Sequence, residues 1–147
     1  MAHTPPTRRD YALDMLRRTQ DNLDQLARDE ENAVVSARLH KVTWREIADA
    51  LGVAQPNATR KFKPAVDAHT GQAPYPDGPS ALSVLRTVRP RRKELERTRV
   101  ADIAHARTAG VEWKDIAAVV RMATPNAIAK FRPLLVEKTT VTPRDDL

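Results

Sequence analysis

Two stretches of this 147-residue chain are nearly the same. Shifted by 69 residues, VTWREIADALGVAQPNATRKFKP (residues 42–64) aligns without a gap with VEWKDIAAVVRMATPNAIAKFRP (residues 111–133). Upstream, the pairs Leu16/Leu85 and Leu26/Leu95 keep the same offset, so the duplicated segment is a small domain of about fifty residues. The chain is therefore expected to fold as two similar small units.

The upstream part of each copy predicts helices. Leucine and methionine recur at three- and four-residue intervals between Asp10 and Arg28, which is typical of one face of an amphipathic helix. We expect a break near Asp21 and a second helix over about Asn32–Lys41. No stretch alternates with period two for long enough to predict a sheet.

The conserved core of the repeat predicts two short helices joined by a turn. Thr43 offers a hydroxyl cap with Glu46 three residues on, the spacing of a capping box. Gly52 supplies the positive φ that a turn after a helix needs. Pro56 then opens a last helix, where its missing N–H costs little, and Pro64 is expected to end it near Lys63.

These patterns predict an all-α protein with two tandem helix-turn-helix domains of three to four helices each. The predicted segments are a first domain over residues 8–64, a proline- and glycine-rich linker over 65–80, a second domain over 81–136 and a tail over 137–147. In the first domain, small Ala48 allows close helix crossing, and Val53, Ala58 and Phe62 are expected to seat the last helix on the core. At 100° per residue, the face opposite Ala58 and Phe62 carries polar and basic side chains.

The segment ARLHKVTWREIADALGVAQPNATRKF resembles the helix-turn-helix domains of small bacterial, actinobacterial-type regulators. It is also similar in pattern to sigma-factor promoter-reading domains and homeodomain-like repressors. The resemblance covers both repeats and implies that the last helix of each lies in the DNA major groove with its N-terminal residues at base edges. The DNA-binding candidates are Gln55, Asn57, Thr59, Arg60, Lys61 and Lys63 in the first copy, and Thr124, Asn126, Lys130 and Arg132 in the second.

The second copy departs from this pattern at several places. Arg121 replaces the turn glycine, Met122 replaces Val53, Ile128 replaces Thr59 and Ala129 replaces Arg60. We expect it to keep phosphate anchoring and one adenine-type contact, and to lose the guanine-type contact that arginine makes. Candidate phosphate contacts are Arg45, Lys114, Arg89, Arg91, Arg92 and Lys93.

Charge favours an anionic partner. The chain carries 25 Lys and Arg against 19 Asp and Glu, a net charge of +6, with an isoelectric point near 10.1, and nucleic acid is the commonest such partner. Residues 82–133 have 12 basic and 5 acidic side chains (+7), against 11 and 9 (+2) for residues 1–64. Double-stranded DNA is the expected partner.

An enzyme is not expected. The sequence has no glycine-rich phosphate loop and no nucleophile and base at a telling spacing, and two small helical units offer little room for a substrate pocket. The chain has no cysteine, and its four histidines have no ligand spacing, so neither a metal nor a cofactor is expected.

Within DNA binding, a transcriptional repressor and an accessory partition, phage or nucleoid protein have the same sequence signature. A rival of another class is a protein-docking adaptor, in which the second repeat binds a protein partner through Met122 and Ile128. A homodimer of the doubled chain also stays open. The opening MAHTPPTRRD lacks the apolar core of a signal peptide, and no apolar run is long enough to span a membrane, so we expect a cytoplasmic, nucleoid-associated protein.

Overall fold

A computed structural model describes the backbone of residues 4–141 and the side chains of residues 4–135. All regular elements in this range are helices, which confirms the all-α prediction. They are α1 (Arg8–Leu39), α2 (Trp44–Leu51), α3 (Gln55–Ala68), α4 (Gly78–Thr108), α5 (Trp113–Val120) and α6 (Thr124–Val141). We call α2 with α3 the first helix pair and α5 with α6 the second helix pair.

The support helices α1 and α4 are long and unbroken. The predicted break near Asp21 is wrong, because α1 runs through it for 32 residues without a glycine or proline. A reciprocal cap starts this helix: the Thr7 N–H donates to Asp10 Oδ2 at 2.8 Å, and the Asp10 N–H donates to Thr7 Oγ1 at 3.2 Å. Two donors that the first turn would leave without a helical partner are thereby satisfied.

The first helix pair begins as predicted and ends later. Thr43 Oγ1 accepts from the Glu46 N–H at 3.1 Å, and Gly52 closes α2 in the left-handed region with φ +71°. The expected stop at Pro64 is wrong, since α3 continues through this proline to Ala68. A proline inside a helix removes one backbone hydrogen bond and bends the axis, and packing can outweigh that cost.

The described chain separates into two compact units that cut across the sequence repeats. Unit 2 comprises Leu23–Glu94, and unit 1 comprises α1 up to Asn22 together with the chain from Leu95. The first helix pair therefore shares unit 2 with the N-terminal segment of α4, which belongs to the second repeat. In the same way, the second helix pair shares unit 1 with the N-terminal segment of α1.

Each unit has its own apolar core. In unit 2, Ile47 of α2 and Phe62 of α3 are buried with Val34 of α1 and Leu85 of α4. In unit 1, the equivalent pair is buried with residues of α1 and α4; that core includes Leu16, Ile103, Ile116 and Phe131. Burial of apolar side chains of α1 and α4 against each pair fixes which face of the pair stays outside.

The segment between α3 and α4 is fastened to unit 2. The buried Ser36 hydroxyl donates to the Tyr75 carbonyl at 3.0 Å and accepts from the Tyr75 N–H at 2.9 Å. Tyr75 also packs against the unit 2 core. The predicted linker, residues 65–80, is thus non-helical only over residues 69–77.

Candidate nucleic-acid interface

Helix α3 shows opposite chemistry on its two faces. Its inner edge is formed by Ala58 and Phe62, which are 2% and 5% exposed. The predicted contact residues lie on the opposite face (Asn57, Arg60 and Lys63) and on its flanks (Gln55, Thr59 and Lys61), and all are exposed except half-buried Thr59. One packing prediction is wrong: Val53 is 46% exposed and lies in the turn, so it does not seat the helix.

Two of the exposed side chains on α3 are joined. Arg60 Nη2 donates to Asn57 Oδ1 at 2.6 Å, one helical turn apart. Ala54, which precedes α3, makes no side-chain cap, and Asn57 contributes its backbone N–H to the Ala54 carbonyl. The Asn57 side chain is therefore directed to its neighbour on the outer face, and the two groups restrict each other's rotamers.

A buried carboxylate lies beside α3. Glu30 of α1 is 4% exposed, and its Oε1 is 2.8 Å from Arg92 Nη2 of α4 and 3.6 Å from Lys61 Nζ of α3. A charge so removed from water needs partners of opposite sign. Glu30 thus joins one cation from each repeat at the edge of the outer face.

The basic cluster at Arg86–Lys93 belongs to unit 2. Arg89 Nη1 donates to the Gly52 carbonyl in the turn of the first helix pair at 3.0 Å, and Arg91 pairs with Glu94 at 3.3 Å. In the sequence this cluster belongs to the second repeat. Counted by units, the basic and acidic side chains are 12 and 9 in unit 2 and 13 and 10 in unit 1, so each unit has a net charge of +3.

The second helix pair has a related but poorer outer face. Asn126, Lys130 and Arg132 are exposed on α6, and Thr124 is half-buried at its first position. Ala129, where α3 has Arg60, is exposed and carries no polar group. Arg121 takes the place of Gly52 and adopts the same left-handed backbone, with φ +60°.

The remaining predicted phosphate contacts lie at the starts of α2 and α5. Arg45 and Lys114 occupy equivalent, exposed second positions of these helices. Lys114 Nζ is 3.8 Å from the Glu112 carboxylate, and both side chains are mostly in water. Such a pair contributes little and leaves the ammonium accessible.

Sequence reasoning missed a pair of arginines that brace the helix pairs. Arg38 donates to the Val42 carbonyl at 2.8 Å and lies 5.1 Å from the centre of the Trp44 ring. Arg107 repeats this arrangement on Val111 and Trp113, at 3.0 Å and 5.2 Å. The signal was present, since both arginines and both tryptophans are identical in the two repeats.

Comparison with known proteins gives no relative. No protein-family description, no curated protein and no solved structure matches the chain. Among the described helices, none is long and apolar enough to cross a membrane. Within the same described residues, no three His, Cys, Asp or Glu side chains are grouped as a metal ion would require.

Proposed function

We propose that this protein binds double-stranded DNA sequence-specifically and regulates transcription, with each helix pair acting as a helix-turn-helix module. The observation that carries the proposal is the outer face of α3, where basic and amide side chains are exposed on the side of the helix away from buried Ala58 and Phe62. A short helix of this kind, seated by its inner edge and preceded by a tight turn, suits insertion into the major groove.

The side chains on α3 match the chemistry of base edges. An asparagine can pair bidentately with adenine, and an arginine with guanine. The hydrogen bond between Arg60 and Asn57 holds both groups near one arrangement before DNA is bound, which lowers the conformational entropy lost on binding. Gln55 and Thr59 are secondary contacts, and Lys63, which pairs with Asp67 at 2.8 Å, is a backbone contact.

Helix α6 is also proposed to lie in the major groove, with fewer contacts to base edges than α3. Asn126 and Thr124 supply base-edge groups, and Lys130 and Arg132 supply cations for phosphates. We propose that the protein represses transcription by occupying a promoter. The accessory alternative, a plasmid partition, phage or nucleoid protein, uses the same contacts.

A docking adaptor without base readout is the alternative of another class. It depends on apolar surface on the second helix pair, where Leu134 is 39% exposed and Ile128 is half-buried. Met122, the other side chain on which this idea rested, packs against the unit 1 core. The second pair therefore offers less docking surface than its sequence implied.

Selection of bound duplexes from a random pool tests the proposal. We expect an enriched motif, and an affinity that falls steeply with salt because several Lys and Arg contacts release counterions from the duplex. An adaptor that docks through apolar surface would show neither effect. Absence of binding to any duplex at low salt would refute the proposed function.

A further inference from the structure

A cleft in unit 2 collects cations from both repeats. It has a volume of about 340 Å³ and lies where the turn of the first helix pair and the start of α3 meet α1 and α4. Its apolar lining includes Leu51, Ala58 and Phe62. Its polar lining is Lys61, Arg89, Arg92, Glu30 and Asn57.

The cleft carries an excess of positive charge. Three cations face one carboxylate, which leaves a net charge of +2. Glu30, buried behind them, holds Arg92 and Lys61 to a single oxygen, so two cationic groups from different helices are kept side by side. Glu30 is thus a positioning residue for these cations.

Donors for an external anion are in place. Arg89 donates one N–H to the Gly52 carbonyl, and a guanidinium has five. The side chain of Lys61 is 62% exposed and that of Arg92 is 33% exposed. A phosphate group takes several donors at once, and arginine can bind it bidentately.

The corresponding positions of the other repeat do not conserve this set. Sixty-nine residues earlier, Gln20 and Leu23 stand for Arg89 and Arg92. Sixty-nine residues later, Arg99 and Arg121 stand for Glu30 and Gly52. Lys61 and Phe62 keep their equivalents, Lys130 and Phe131, and so do Asn57 and Ala58, but both arginines of the cleft are lost. The set of Lys61, Arg89 and Arg92 is therefore found only beside the first helix pair, and it forms because α4 packs against that pair.

We propose that Lys61, Arg89 and Arg92 form a binding site for one phosphate group, and that the phosphate belongs to the backbone of the duplex that α3 reads. This assignment rests on the proposed function. It makes unit 2 a composite DNA-binding surface: the first repeat supplies the base-reading helix, and the second repeat supplies the arginines that anchor it. Asn57, which lies on both the outer face and the cleft, connects the two parts.

The test uses the full chain with a selected duplex and a scrambled duplex of equal length. Lys61→Met and Arg89→Gln are each expected to weaken binding to both duplexes about three- to tenfold and to reduce the salt slope by about one, as loss of a phosphate contact should. Because both cations serve one phosphate, the double variant should lose less than the product of the two single losses. Arg97→Gln, which removes a cation from an exposed position of α4 outside the cleft, is the control and should change binding less than twofold.

The outcomes separate this inference from the proposed function. If the wild type binds no duplex, the proposed function fails and the site fails with it. If the wild type binds but Lys61→Met and Arg89→Gln match the Arg97→Gln control, only the phosphate site is refuted. Melting curves verify that each variant is folded, and Arg89→Gln, at an exposed position, keeps the test valid should Lys61→Met unfold.

Inorganic phosphate tests the other source of the same ligand. At constant ionic strength, millimolar phosphate should leave the melting temperature of the wild type and of Arg89→Gln equally unaffected. A rise in the wild type that Arg89→Gln abolishes would show that free phosphate is the ligand and would overturn the assignment to the duplex.

Discussion

Gly52 and Arg121 occupy the same place in the two repeats and adopt the same left-handed backbone, with φ +71° and +60°. At Gly52 an added Cβ would lie 2.7 Å from Arg89 Nη1. An alanine at position 52 would therefore displace the guanidinium of Arg89 from the turn. At the equivalent position of Arg89 the chain has Gln20, and the turn of the second helix pair carries a full side chain.

Gly52→Ala is expected to lower the free energy of unfolding by about 1–2 kcal/mol, because a left-handed conformation costs an L-residue about that much, and to disturb the Arg89 contact as well. Urea unfolding measures the loss. Arg121→Ala, which keeps a non-glycine residue in the same conformation, should change stability by much less. In an Arg89→Ala background the loss from Gly52→Ala should shrink to the backbone cost; an undiminished loss would contradict the clash.

Residue placement on the helix pairs was largely predictable from the sequence, and partners across the fold were not. Period and repeat identity placed Ala48, Ala58 and Phe62 inside and Arg60 outside, as the structure confirms. The pairing of Glu30 with Arg92 joins residues 62 positions apart. This ion pair forms because the N-terminal segment of α4 packs in the same unit as the first helix pair. The local periodicity of the sequence does not show which segment of α4 packs against which helix pair.

At the scale of elements, the seating of α3 depends on a small side chain at the crossing with α2. Ala58→Glu should lower the melting temperature, because Ala58 is only 2% exposed and a larger side chain there must push the packed helices apart, at a cost of about 1–3 kcal/mol. Circular dichroism melting is the measurement. Ala129→Glu, at an exposed position of α6, is the control and should leave the melting curve nearly unchanged. An unchanged curve for Ala58→Glu would mean that another face of α3 packs inward.

The Asp77 carboxylate caps the start of α4. The Ser80 N–H donates to Asp77 Oδ1 at 2.7 Å, and this hydrogen bond lowers the pKa of Asp77 below its ordinary value of 3.8. Since the folded pKa is the lower one, the unfolded chain binds more protons. The stabilisation is then complete above the unfolded pKa and is lost as the pH falls through the folded one.

The difference in unfolding free energy between wild type and Asp77→Ala should therefore be present at pH 7 and should shrink below about pH 4. Denaturant unfolding in a pH series measures it. Asp67→Ala is a comparison at an exposed carboxylate whose partner is the i−4 lysine Lys63, and a smaller difference is expected there. A difference for Asp77→Ala that stays constant down to acid pH would refute the role of its charge.

The predictions of helix boundaries were wrong where a local sequence signal competed with tertiary packing. Pro64 is a helix breaker by propensity, yet α3 continues through it to Ala68, where Val66 still packs against the unit 2 core. Polar Asp21 weakened the amphipathic pattern of α1 without ending the helix. In both cases the helix continues because residues on either side of the polar or proline residue are buried in the tertiary structure. A short sequence window does not contain the information on that burial.

At the scale of the whole molecule, the two sequence repeats do not coincide with the two compact units. Neither helix pair is completed by its own repeat alone, since each unit includes a helix segment from the other repeat. The basic cluster of the second repeat consequently serves the first helix pair, and the contrast in charge between the repeats does not survive as a contrast between units. Function and stability of α3 should then depend on residues of α4, including Leu85, Arg89 and Arg92.

Leu85→Ala tests this dependence directly. Leu85 belongs to the second repeat and is fully buried in unit 2 with Ile47 and Phe62, whereas Leu16 of the first repeat is fully buried in unit 1 with Ile116 and Phe131. Each truncation should cost about 2–5 kcal/mol. In hydrogen exchange, Leu85→Ala should deprotect amides of α2 and α3, and Leu16→Ala those of α5 and α6. The opposite pattern would mean that each repeat folds on itself, and with it the arginines of α4 would lose their place beside α3.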